Sequence, residues 1–204
     1  MRRIEQRLFL LFVALLPVFQ PLYIRLRGSG PIVIMADVVF AVTTLAWIVA
    51  LLRGTASLRF NGFHVAAGAY FAALCLSALF SIDPATSVVK LAGAAYLIGI
   101  AVLAISLVRT WEEFSHVLQI WIASTAVVAL AGIAGILLYV AGFRSPDQNF
   151  ALSGFGCLPP GDYPRIRATF VNPNLLCSYL GIGLMLLPFL RSVDRARRAW
   201  HAVG

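Results

Sequence analysis

Six stretches of this 204-residue chain are apolar for close to the roughly 20 residues that a membrane-spanning helix needs. They run from Leu8 to Ile24, Pro31 to Leu52, Phe63 to Ile82, Ser87 to Val108, Val117 to Phe143, and Asn174 to Leu190. Polar residues collect between the runs instead of alternating with apolar ones inside them, which excludes the dyad repeat of a membrane β-barrel. The pattern predicts an all-α fold: a polytopic helical bundle of about six spans, forming one transmembrane domain over residues 1–204.

Punctuation between the runs sharpens the prediction. Gly30-Pro31, Asp83-Pro84 and Asn172-Pro173 each put a proline where the first helical N–H has no partner anyway, so three helices should start there. Thr110-Trp111-Glu112-Glu113 reads as a capping box that starts the fifth helix ahead of its apolar run. The first run follows Met1-Arg2-Arg3 and has no small-residue cleavage site, so it reads as an uncleaved signal anchor, kinked by Pro17 and Pro21. One connection is long, from about 144 to 171. Its turn residues (Gly154, Gly156, Pro159, Pro160, Gly161, Pro164) and its apolar ones (Phe150, Leu152, Phe155, Leu158) predict a partly ordered outer loop lying on the membrane surface. Small residues four apart, Gly68 with Ala72, Ala69 with Ala73 and Ala131 with Gly135, suit close helix crossing.

Composition agrees and adds a direction. Hydrophobic residues make up 61% of the chain and charged ones 12%, with a mean hydropathy of +0.90, too apolar for a soluble globular domain. The net charge is +8. Most of the arginines fall in the segments before the first run, between the second and third, between the fourth and fifth, and after the sixth, where Arg191, Arg195, Arg197 and Arg198 cluster. The positive-inside rule then gives N-in, C-in, with the basic residues also meeting anionic lipid. No basic face interleaved with aromatics appears outside the membrane flanks, so nucleic acid is not an expected partner. His64, His116 and His201 are scattered, and no spacing suggests a metal site. A Cys157–Cys177 disulfide is conceivable if Cys177 lies near the outer surface, beside ordinary apolar uses for both residues.

The chemistry concentrates in Arg165-Ile166-Arg167-Ala168-Thr169-Phe170-Val171-Asn172-Pro173-Asn174. Asn172 is a natural N-cap and Pro173 fits the first helical position. The unpaired N–H groups and positive dipole end of the sixth helix would therefore face the same point as the forked donors of Arg165 and Arg167, an arrangement suited to a phosphate. The alternative is that these arginines contact only lipid phosphate or Asp162. Tyr163 and Phe170 read as membrane-interface anchors. Asp37 and Lys90 sit a short way inside the second and fourth runs, where an ionisable group costs about 2.5–3.5 kcal/mol on insertion scales. Either Lys90 joins the arginines with Asp37 orienting a cation, or the two pair with each other, or Lys90 snorkels to the interface.

The segment from Arg165 to Leu180, with its arginines, small residue, Phe170 and Asn172-Pro173-Asn174 leading into an apolar helix, resembles the hallmark segment of the O-antigen ligase and polymerase superfamily of bacterial membrane proteins. Ser81-Ile82-Asp83-Pro84-Ala85-Thr86-Ser87 is also similar to that family. The resemblance implies a metal-independent type-C glycosyltransferase of the bacterial inner membrane with no cofactor. Such an enzyme takes a glycan from an undecaprenyl-pyrophosphate carrier at the periplasmic face and joins it to lipid A core, another glycan or a protein. It further implies that Arg165 and Arg167 steady the pyrophosphate leaving group while Asn172, Pro173 and Asn174 shape the site. Ala168 stands near where members often have Gly. Members also continue through further spans and a large periplasmic loop with an Arg and a His thought to assist acceptor activation, so the chain reads as an N-terminal portion, inactive alone and without an identified catalytic base. Two other classes stay open: a permease for a small solute such as inorganic carbon, for which Thr43, Thr44, Ser124 and Thr125 are the polar residues at span centres, and a noncatalytic assembly partner.

Overall fold

The structure, a computed structural model, describes residues 4–18, 23–25, 32–58, 60–145, 147–158, 161–170 and 172–203. Among these are six helices, α1 (Ile4–Leu15), α2 (Met35–Leu52), α3 (Gly62–Leu79), α4 (Pro84–Leu107), α5 (Trp111–Val140) and α6 (Pro173–Val203). Two antiparallel ribbons join them: β1 (Tyr23–Arg25) with β2 (Ile32–Ile34), and β3 (Leu152–Leu158) with β4 (Gly161–Ile166). Helices α2, α3, α4 and α5 are long and apolar enough to cross a membrane, and Pro173–Phe189 of α6 is a shorter apolar stretch. The chain divides into two compact units, Met1–Phe9 with Phe40–Arg109, and Leu10–Val39 with Thr110–Gly204.

The expected helix boundaries hold for the third to fifth runs, hold only at the start of the sixth, and fail for the first two. The first run does not stay helical to Ile24: α1 stops at Leu15, two residues before Pro17, and Tyr23–Arg25 pairs as β1. Proline cannot supply the N–H that the next turn requires. Likewise Pro31 does not open the second helix. Ile32, Val33 and Ile34 are β-branched and form β2, so α2 begins at Met35. Asp37 is then the third residue of α2, and its carboxylate reaches back to accept the Ile34 N–H at 3.0 Å, the reciprocal half of a capping box. The sixth helix continues past Leu190 to Val203, with Pro188 inside it.

In the first unit Phe9, Trp47, Ala50, Leu103 and Leu107 are buried. Phe40 meets Tyr96 edge-on at 4.7 Å and presses on Gly99, where an added Cβ would lie 3.2 Å from its ring. Arg109 secures the end of α4, its Nε donating to Ser106 O at 2.8 Å and its terminal nitrogens to Ser57. Helix α4 starts where Asp83-Pro84 predicts. The Asp83 carboxylate accepts the Thr86 N–H at 3.2 Å and the Thr86 hydroxyl at 2.5 Å. These bonds, the hydroxyl's first, hold the carboxyl below its ordinary value. Helix α3 packs along α4 and buries no residue of its own. Nothing lies within 4 Å of a Cβ built on Gly68, so the Gly68–Ala72 spacing serves no crossing inside this unit.

In the second unit the capping box at Thr110 is formed, with Glu113 N–H donating to the threonine hydroxyl at 3.2 Å and Thr110 N–H to the Glu113 carboxylate at 3.0 Å. Helices α5 and α6 pack together, and they come close at Gly183, where a Cβ would sit 2.7 Å from Thr125 Oγ1. Sequence spacing did not single out this pair. Gly135 also marks a close approach, yet its neighbour is the chain at Ala151 and not a second helix.

Candidate functional site

The arginine segment folds as the last part of β4, a tight turn, and the first turn of α6. Arg165 lies in β4 opposite Gly154, with an exposed side chain. Ile166, the next residue, turns inward and packs against the cluster of Val128, Ala168, Phe170, Leu176 and Tyr179. The backbone N–H groups of Arg167 and Ala168 then both donate to Ala151 O, at 2.7 and 3.3 Å. Ala168 is 1% exposed and adopts φ 50°, the left-handed region. For a residue with a Cβ this conformation costs roughly 1–2 kcal/mol, so the position is one where glycine would be unstrained.

Three contacts fix the turn. Ala151 is itself held by Asn149, a fully buried side chain whose Nδ2 donates to Gly135 O at 2.8 Å and whose Oδ1 accepts the Ala151 N–H at 3.2 Å. The Thr169 hydroxyl donates to Pro17 O at 2.6 Å, tying the turn to the chain just beyond α1. Phe170, expected at the membrane interface, is instead 4% exposed and tilted against Tyr179 at 5.3 Å. Tyr179 stacks on Trp121 at 5.2 Å and hydrogen-bonds Ser124 at 2.7 Å. Leu152, expected on the membrane surface, is likewise fully buried. Both sit inward because the long connection folds back as a ribbon onto α5.

Asn172 caps α6 as its type predicts: its Oδ1 accepts the Leu175 N–H at 3.0 Å, and Pro173 is the first helical residue. Asn172 and Asn174 are exposed. Arg167 is partly buried, and its Nε is enclosed with no hydrogen-bond partner. A guanidinium N–H without an acceptor is costly. Arg165, Arg167, Asn172, Pro173 and Asn174 thus share one short stretch of the second unit. Asp37 belongs to the same unit but is engaged in starting α2. Lys90 is exposed, the seventh residue of α4, in the first unit. Asn149, Ala151 and Thr169 are the supporting residues that sequence reasoning missed. No sequence signal marked Asn149, because its apolar neighbours Phe150 and Leu152 read as residues on the membrane surface.

Cys177 is a free, exposed thiol. No group of three or more His, Cys, Asp or Glu side chains able to hold a metal occurs among the described residues. No protein-family model, curated protein or solved structure matches the chain.

Proposed function

We propose that this chain is an O-antigen ligase-like membrane protein of cell-surface polysaccharide synthesis, acting at the outer face of a bacterial inner membrane on a glycan carried by undecaprenyl pyrophosphate. In this reading it takes an N-in, C-in arrangement, with the apolar part of α6 as a shorter span. The observation that carries the reading is the enclosed, unpartnered Arg167 Nε on a turn locked by Ala151, immediately before the capped start of α6. Guanidinium donors six to eight residues ahead of a capped helix start supply the donor types that suit an oxygen-rich dianion. The cations would stabilise the charge that develops on the diphosphate as the sugar–phosphate bond breaks, while an acceptor hydroxyl attacks the anomeric carbon.

The test is genetic complementation with a full-length version that carries this segment, read as a surface-glycan ladder on a gel. Arg167→Ala should lower transfer by about 10²–10³-fold, the usual consequence of removing one preorganised electrostatic donor, and Arg165→Ala should weaken it. Ladders unchanged by both substitutions would refute the assignment.

A permease is the second reading, favoured by Ser106 Oγ and Trp47 Nε1, both buried in the first unit without a hydrogen-bond partner. Polar groups in that state within apolar helices commonly mark a path for solute or water. Solute uptake by proteoliposomes, abolished by Ser106→Ala, would support it over the ligase.

A further inference from the structure

A groove of about 310 Å³ runs along α5 in the second unit. Ala14 and Val18, at the end of α1 and just beyond it, form one side, the α5 face from Ile120 to Ala131 the other, and Thr169 of the arginine turn also lines it. The α5 face spans about 16 Å at 1.5 Å per residue. That is close to half of the roughly 30 Å hydrocarbon core, the depth of a single leaflet. Its two hydroxyl-bearing residues are already engaged, Ser124 with Trp121 O and Tyr179 at 2.8 and 2.7 Å, and Thr169 with Pro17 O at 2.6 Å. The groove therefore presents hydrocarbon to its occupant and no hydroxyl to a polar ligand. Arg165 and Arg167 precede Thr169, which lines the groove, by four and two residues along the chain.

We propose that the groove holds one acyl chain of an anionic glycerophospholipid, whose phosphate lies at the level of the arginine turn. The match to one leaflet selects an acyl chain over a longer polyprenyl chain, which would overrun the groove. The inference needs only that the chain sits in a bilayer, and so stands apart from the glycan-transfer reading.

The experiment reconstitutes the whole chain in nanodiscs containing phosphatidylglycerol with a photoactivatable diazirine on its acyl chain, and maps the adducts by mass spectrometry. Adducts should concentrate on residues 14–18 and 120–131. Ala123 is exposed and lines the groove, so Ala123→Trp should fill it without disturbing the core. Adducts there should fall about tenfold, the equivalent of roughly two methylenes losing their burial. Ala123→Met is a milder filler, expected to give a partial loss should the tryptophan variant fold poorly. Ala72→Trp, on exposed α3, should leave the pattern unchanged. Labelling spread evenly over all apolar helices, labelling that survives both fillers, or labelling by a polyprenyl-phosphate probe and not by phosphatidylglycerol would each overturn the proposal. Loss of glycan ladders in Arg167→Ala leaves this readout untouched, so the two ideas fail separately.

Discussion

Gly135→Ala sets two forces of opposite sign against each other at one position. In an exposed helix interior, replacing glycine by alanine gains about 1 kcal/mol through lower unfolded-state entropy and better helix propensity. At Gly135 the new Cβ would overlap the Ala151 Cβ and lie 3.6 Å from both Ala151 Cα and Asn149 Oδ1. The obstacle is a short side chain on a hydrogen-bonded backbone and cannot rotate away, so α5 or the ribbon must move. Overpacking of this kind costs about 1–3 kcal/mol, which leaves a net loss of up to about 2 kcal/mol after the propensity gain. Ala151 O is also the acceptor for the N–H groups of Arg167 and Ala168, so its displacement reaches the arginine turn. Gly68→Ala is the internal control, because nothing lies within 4 Å of its Cβ and only the favourable part remains. Unfolding midpoints in mixed detergent micelles, followed by tryptophan fluorescence, should rank Gly68→Ala at or above wild type and Gly135→Ala below it. If Gly135→Ala unfolds at or above the wild-type midpoint, the close approach of α5 to Ala151 is wrong, and with it the account of how the turn is held.

Two further outcomes follow from the same contacts. Asn149→Ala strands the buried Ala151 N–H and leaves a cavity, and should cost about 2–4 kcal/mol in the same micelle assay, whereas Gln148→Ala, exposed beside it, should change little. The Asp83 carboxyl is held below its ordinary value of 3.8 by its bonds to Thr86. Its contribution to the start of α4 is therefore fully present above that value and is lost as pH falls through the lower folded value. Amide exchange at Thr86 and Ser87 should accelerate in that acid window in wild type and lose this pH step in Asp83→Asn.

How much of this was legible beforehand follows from the range over which each signal acts. Asp83-Pro84, Thr110 with Glu113, and Asn172-Pro173 are complete within four residues, and all three open helices as read. Gly30-Pro31 carries the same local sign and does not, because Ile32 to Ile34 find partners in Tyr23 to Arg25, a pairing no local rule encodes. The β3–β4 ribbon was hidden for a related reason: its glycines and prolines read as loop chemistry, and only closure onto α5 makes their backbone extended. Small-residue spacing gave positions without partners. Gly135 is a true close approach but to Ala151, Gly68 meets nothing within its unit, and the approach between helices falls at Gly183 and Thr125.

The candidate site shows the same division, and Ala168 shows where it bites. From sequence the residue is only a small side chain, which suggests that size is what the position requires. Its φ of 50° points to a different requirement: just after the Arg167 and Ala168 N–H groups meet Ala151 O, the backbone must turn left-handed toward Thr169 and Phe170. Burial of the methyl in the Phe170–Tyr179 cluster offsets part of the strain. The arginines stand out in the sequence by their charge, but the turn that carries them is held by a strained residue, a buried Asn149 and a threonine bonded to Pro17, residues whose types are ordinary and whose roles exist only in the folded chain.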